Sequence, residues 1–132
     1  MSLFKWIDIR TIGDERGQLC VIEQDKDLPF QVKRFYYLTN LDCHTPRGFH
    51  AHRCLRQIAI CVAGSCEMIF DDGNRKESIV MNSSSKGLLI EPYIWHEMHN
   101  FSNDCILLVL ASDNYEESDY IRDYDLFLRE AI

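Results

Sequence analysis

The sequence predicts an all-β fold, and three observations carry that expectation. Nine runs of four to nine residues are either apolar throughout or alternate apolar with polar side chains. Clusters of Gly, Asn, Asp and Ser separate several of these runs. Helical spacing of apolar residues occurs in one place, the C-terminus. Many short strands without intervening helices fit a β-sandwich or barrel and argue against βαβ units.

In chain order the expected strands are residues 4–9, 18–23, 31–39, 47–53, 57–62, 66–70, 77–81, 87–91 and 106–111. The turns between them are Asp14-Glu15-Arg16-Gly17, Ala63-Gly64-Ser65, Asp71-Asp72-Gly73-Asn74 and Asn82-Ser83-Ser84-Ser85, which supply the residue types that tight hairpins need. From about residue 116 to 131, Tyr120, Ile121, Tyr124, Phe127 and Leu128 recur at helical spacing, so a C-terminal helix is expected to pack its apolar face on the barrel wall. No repeat, low-complexity tract or linker interrupts the pattern, and residues 1–132 read as one domain.

Composition narrows the partners. Hydrophobic residues make up 46% of the chain and aromatics 11%, enough for a packed core. Net charge is −7, unevenly placed: residues 1–66 carry nine Lys/Arg against seven Asp/Glu, residues 67–132 five against fourteen. Nucleic acid is not expected as a partner of so acidic a chain, although arginines gathered locally can hold a small anion. Arg16, Arg34, Arg47, Arg53 and Arg56 are the pool. With no apolar run near the ~20 residues of a membrane span and no signal-peptide pattern at the N-terminus, no membrane role is expected and the protein reads as cytoplasmic. Six cysteines without a Cys-x-x-Cys pair read as reduced and mostly buried.

The most informative local feature is Arg47-Gly48-Phe49-His50-Ala51-His52-Arg53. Alternate residues of a strand share a face, so His50 and His52 project side by side. Paired imidazoles hold a divalent metal or move protons near neutral pH. A second cluster, Trp95-His96-Glu97-Met98-His99-Asn100, follows about 45 residues on, behind Gly87 and Pro92.

The spacings Gly48-x-His50-x-His52 and Gly87-x4-Pro92-x3-His96-x3-Asn100 resemble the two motifs of the cupins, jelly-roll barrels with a site in the mouth. In a metal-binding cupin the resemblance would make His50, His52 and His96 ligands together with a glutamate, but Arg56 and Gln57 occupy the glutamate positions. Losing the anionic oxygen weakens the metal reading, and no metal or other cofactor is expected.

A closer resemblance spans nearly the whole chain. Pro29-Phe30 with Lys33-Arg34-Phe35-Tyr36-Tyr37, the His50/His52 segment, Asp71-Asp72-Gly73-Asn74, Gly87-Leu88, Pro92 with Trp95-His96-Glu97-Met98, and Val109-Leu110-Ala111-Ser112-Asp113 with Asp119-Tyr120-Ile121-Arg122 are similar to the dTDP-4-oxo-6-deoxyglucose 3,4-ketoisomerases. The resemblance implies a cupin-like double-stranded β-helix and a metal-independent homodimer with exchanged N-terminal strands. It also implies a dTDP-linked 4-oxo-6-deoxy sugar as substrate, on the way to deoxyamino sugars of the 3-acetamido-3,6-dideoxygalactose type. The turn Asp14-Glu15-Arg16-Gly17 resembles the phosphate-contacting turn of the related dTDP-sugar 3,5-epimerases. Arg16-Gly17 together with Trp95-His96 resembles the galacto-forming branch of the ketoisomerases.

The residues suit that chemistry. A ketone at carbon 4 acidifies the hydrogen at carbon 3, so the reaction needs a base, a proton shuttle and donors to the enediolate. His50 and His52 take the first two roles in either order. Tyr37 is the expected phenol donor, with its neighbour Tyr36 on the opposite strand face. Arg16 and Arg47 are expected on the diphosphate, with Lys33 or Arg34 assisting and His96 in the substrate site. The alternatives are a 3,5-epimerase-like enzyme and a metal-dependent or non-enzymatic small-molecule-binding cupin.

Overall fold

The computed structural model describes residues 2–131. Twelve strands and two short helices follow one another as β1 (Lys5–Asp8), β2 (Arg10–Asp14), β3 (Gly17–Val21), α1 (Gln24–Asp27), β4 (Arg34–Leu38), β5 (Arg47–His52), β6 (Gln57–Ala63), β7 (Cys66–Asp71), β8 (Lys76–Met81), β9 (Lys86–Ile90), β10 (Trp95–His99), β11 (Ile106–Ala111), β12 (Tyr120–Ile121) and α2 (Tyr124–Glu130). They form a five-stranded sheet in the order β1-β9-β6-β11-β4, a second in the order β12-β5-β10-β7-β8, and the separate hairpin β2-β3. All paired neighbours are antiparallel. This is the expected double-stranded β-helix, with Met68, Phe70, Leu88, Phe101 and Leu107 in the core it encloses.

Three local departures from the expected elements matter for function. The strand expected at 4–9 ends at Asp8, and residues 10–21 form a hairpin that joins neither large sheet. The His96 cluster is itself a strand, β10. Its alternation is hidden in the sequence because the face that turns inward carries a histidine.

The expected helix at 116–131 is only half helix. Residues Glu117–Asp119 make a single 3-10 turn, and Tyr120–Ile121 pair with β5 in the register Tyr120↔His52 and Ile121↔Ala51. Asp123 then starts α2 as its N-cap, its carboxylate accepting from the amides of Asp125 and Leu126. Ile121 and Phe127 are fully buried against Ala51 and Trp95 on the outer face of that sheet. The apolar stripe therefore packs on the barrel wall as expected, but Tyr120 is delivered to the opposite, inner face.

The six cysteines are free. Cys61, Cys66 and Cys105 are buried, and Cys20, Cys43 and Cys54 are exposed. Among the described residues no helix is long and apolar enough to cross a membrane.

Candidate active site

Strand β5 lies between β12 and β10, and its alternation turns His50 and His52 inward. Residues opposite one another on antiparallel strands share a face. The pairings His96↔His50 and Tyr120↔His52 thus collect three imidazoles and a phenol in one place. Ring centroids are 4.6 Å apart for His50 and His96, 5.0 Å for His50 and His52, and 6.0 Å for His52 and His96. The Tyr120 ring is 4.4 Å from His52 and 5.0 Å from His50. Gly48 makes the close approach of the strands possible: a Cβ there would stand 2.9 Å from the His96 carbonyl oxygen, and its φ of +93° suits glycine alone.

Each imidazole is oriented through its Nδ1. That atom lies 3.0 Å from the Gly48 carbonyl in His50, 3.0 Å from Asp119 Oδ2 in His52, and 3.1 Å from the Ile94 carbonyl in His96. An oxygen acceptor beside each Nδ1 places the proton there and leaves the Nε2 lone pair free. One ring nitrogen from each histidine lies within 4.8 Å of the others. The Nε2 of His52 is buried without a partner among the described residues.

Burial depresses all three basicities. It lowers His50, against the opposing Gly48 carbonyl; it lowers His52 to about 4, helped by His50 and opposed by Asp119; and it takes His96 well below the ordinary value. At neutral pH the cluster is a set of uncharged bases. A divalent ion would find three nitrogen donors here. Of the glutamate positions, Arg56 is turned away to Glu91 at 2.7 Å, and Gln57 donates to the Tyr36 hydroxyl at 2.9 Å while its amide oxygen is buried without a partner among the described residues.

A cavity of about 350 Å³ opens over His50, lined also by Arg34, Tyr36, Arg47, Tyr120 and Arg122. A cleft with a polar reactive floor and cationic walls is suited to an anionic small molecule.

The family model FdtA: WxcM-like, C-terminal matches residues 2–131. A TDP-4-oxo-6-deoxy-alpha-D-glucose-3,4-oxoisomerase of Aneurinibacillus thermoaerophilus is 50% identical over 123 residues, which cover 93% of this chain and 88% of that one. The chain belongs to this FdtA-like family of sugar 3,4-ketoisomerases. Two solved structures from Campylobacter jejuni extend the likeness. The TDP-quinovose 3,4-ketoisomerase WlaRB is 46% identical with a TM-score of 0.91, covering 98% of this chain and 99% of that one. The TDP-fucose-3,4-ketoisomerase WlaRA is 40% identical with a TM-score of 0.89, covering 98% and 96%.

Of the residues expected in the site of this FdtA-like chain, the fold brings together His50, His52, His96, Arg34 and Arg47. Tyr37 is corrected. On β4 the side chains of Arg34, Tyr36 and Leu38 turn inward, whereas Tyr37 stands 64% exposed on the outer face beside Phe35. The β4 phenol that joins Tyr120 in the cavity is Tyr36, whose burial raises its pKa and keeps it protonated. Since Tyr36 accepts its hydrogen bond from Gln57, its own proton remains available to a ligand.

Lys33 is exposed outside the cavity and lies 3.7 Å from Asp113. Arg16 sits in the β2-β3 turn, 85% exposed and paired with Asp14, away from the histidines of its own chain. The sequence reading missed Tyr120, Asp119 and Arg122. Their segment carried part of the family resemblance, but the pairing of Tyr120 with His52 is a tertiary fact that no local pattern displays.

Proposed function

We propose that this enzyme converts dTDP-4-oxo-6-deoxy-D-glucose to dTDP-3-oxo-6-deoxy-D-galactose, for deoxyamino sugar biosynthesis. The observation that carries this reading is the cluster of three uncharged imidazoles, of which His50 reaches the floor of an arginine-lined cavity. The family's activity on TDP-linked sugars supplies the substrate class.

His50 lines the cavity and takes the hydrogen from carbon 3 through its free Nε2. The electron pair of the broken C–H bond forms the C3=C4 double bond as the carbon 4 oxygen gains a proton, giving a neutral enediol. Return of a hydrogen to carbon 4 and loss of the oxygen 3 proton leave the ketone at carbon 3. No atom or electron is exchanged with a cofactor. Tyr36 donates to the developing enediolate. His52, held by Asp119, passes the proton between the oxygens.

The stereochemical proposal follows from placement. The hydrogen on carbon 3 of the gluco substrate and the new hydrogen on carbon 4 of a galacto product lie on the same ring face, so one base serves both. His50, His52 and His96 all come from neighbouring strands of one sheet, which supports delivery from one side. Relatives named for quinovose and for fucose resemble the chain at 46% and 40% identity, so overall identity does not choose the product. Arg16 with His96 is the pair that favours galacto.

The active species in this reading is a homodimer with exchanged N-terminal strands. Ile12 and Leu19 stand 64% and 61% exposed on a hairpin that pairs with no other strand among the described residues. A second copy would cover them and carry Arg16 to the partner's mouth. Incubation with dTDP-4-oxo-6-deoxyglucose, followed by proton NMR, tests the assignment: a 3-oxo sugar supports it, and unchanged substrate or a 3,5-epimerised product refutes it.

A further inference from the structure

We infer that Gln57 is a positioning residue for the reaction: its amide N–H, donated to the Tyr36 oxygen, turns the phenol proton toward the substrate and makes the phenol a stronger donor to the enediolate. The inference rests on the ketoisomerase reading, which gives Tyr36 a task and Gln57 none.

Gln57 is out of place as a packing residue. It opens β6, whose other side chains are Ile58, Ala59, Ile60, Cys61, Val62 and Ala63, and it is 2% exposed. At this position the strand is paired on both sides, with Ala111 of β11 and Ile90 of β9, so the sheet needs nothing from the side chain. Nε2 donates to the Tyr36 hydroxyl at 2.9 Å, whereas Oε1 is buried without a partner among the described residues. A buried acceptor so left costs ~1–3 kcal/mol. Stability alone therefore favours an apolar residue here, and the bond that the amide does make is the one to the phenol.

The register explains how the two side chains meet. Across β6, β11 and β4 it sets Gln57, Ala111 and Arg34 in one row and Ala59, Val109 and Tyr36 in the next. Gln57 reaches diagonally to Tyr36, and the small side chain of Ala111 leaves it room. A phenol has one proton. With an N–H already on its oxygen, that proton turns to another acceptor, and Tyr36 lines the cavity over His50. A hydroxyl that accepts a hydrogen bond is polarised and donates a stronger one. Burial and the nearby Tyr120 raise the Tyr36 pKa, and Gln57 opposes the rise together with Arg34 and Arg47. The phenol is thus kept protonated and still made a better partner for developing negative charge.

The experiment is a double-mutant cycle on the full-length protein, following the conversion of dTDP-4-oxo-6-deoxyglucose by NMR across a pH series, with a thermal melt of each variant. The variants are Tyr36→Phe, Gln57→Met, their combination, and Gln57→Glu. EDTA is present throughout, because a carboxylate beside three imidazoles completes a metal-ligand set. Gln57→Met is expected to lower kcat about tenfold with KM little changed, and to cost nothing further in the Tyr36→Phe background, since its effect passes through the hydroxyl. Gln57→Glu separates orientation from packing. A protonated carboxyl donates to Tyr36 as the amide does, but an ionised one only accepts and draws the phenol proton to itself. Its kcat should therefore fall as pH rises through the pKa of the new carboxyl, a limb absent from wild type. Wild-type kcat in Gln57→Met would overturn the proposal, as would an equal loss in both backgrounds or a Gln57→Glu kcat that holds or rises with pH. These outcomes with an active wild type remove only the role of Gln57, whereas a wild type that forms no 3-oxo sugar removes the ketoisomerase reading and this role with it.

Discussion

Nδ1 of His52 and Oδ2 of Asp119 lie 3.0 Å apart, in a site where the imidazole is 2% exposed. Asp119 is itself held, since its carboxylate accepts from the amides of Cys54 and Leu55. A side chain fixed at both ends locks the tautomer and direction of the next one, which is how a carboxylate assists a proton-transferring imidazole without touching substrate.

Asp119→Asn is therefore expected to lower kcat by about 10²-fold or more with little change in KM, because the amide cannot reproduce both the acceptor to Nδ1 and the acceptors to the two backbone amides. Steady-state kinetics with a thermal melt checks this. Asp119→Ala should in addition lower Tm, since the buried His52 Nδ1–H and the Leu55 amide are left without an acceptor, and a buried donor so left costs ~1–3 kcal/mol. Unchanged kcat in Asp119→Asn would make the contact purely structural.

The pH dependence follows from the depressed imidazoles. Their unfolded-state basicity is that of an ordinary histidine near ~6.5, while in the folded protein all three lie lower and His52 titrates at about 4. Between those values the unfolded chain binds more protons than the native one, so stability is full above ~6.5 and falls as pH drops through the window toward 4. Denaturant titrations at pH 7.5, 6 and 5 should show a declining midpoint. The acid limb of kcat/KM should lie below the ordinary histidine range, and a limb at 7 or above would contradict neutral imidazoles as the resting state.

Much of this was legible in the sequence, for reasons that particular residues make plain. The period-2 spacing of His50 and His52 put both rings on one face of β5 wherever the strand lay. Tyr36 and Tyr37 were not separable, because β4 is amphipathic in an unusual way: it has arginine and tyrosine inward and Phe35 with Tyr37 outward, so hydrophobicity does not mark its phase. Tyr120 and Ile121 fit a helical stripe equally well. The Asp123 cap that corrects that reading is a helix start signal seven residues inside the expected helix. The position of Arg16 is a different kind of limit, since in the proposed dimer its working surroundings belong to a second copy.

That dimer gives the next prediction. Ile12→Asp with Leu19→Asp should shift sedimentation from dimer toward monomer and reduce turnover, because Arg16 would no longer be carried to the partner's mouth. Arg16→Ala should raise KM while leaving the dimer intact. A fully active monomer would remove the basis for placing Arg16 at a shared site.

Exhaustive chelation should leave turnover unchanged, because the proton transfers proposed here use imidazole nitrogens and a phenol, and neither glutamate position, Arg56 or Gln57, supplies a carboxylate. Activity lost to EDTA and restored by zinc, iron or manganese would overturn the metal-free mechanism.

The central claim is that His50 moves hydrogen between carbons 3 and 4 on one ring face. Its most direct test is NMR of the product formed from dTDP-4-oxo-6-deoxyglucose in heavy water by wild type and by His50→Asn. Wild type is predicted to give the 3-oxo sugar with the carbon 4 hydrogen or deuterium in the galacto position, and His50→Asn to lose ~10²- to 10⁴-fold in rate. A gluco product, or near-normal turnover without the His50 imidazole, would contradict it.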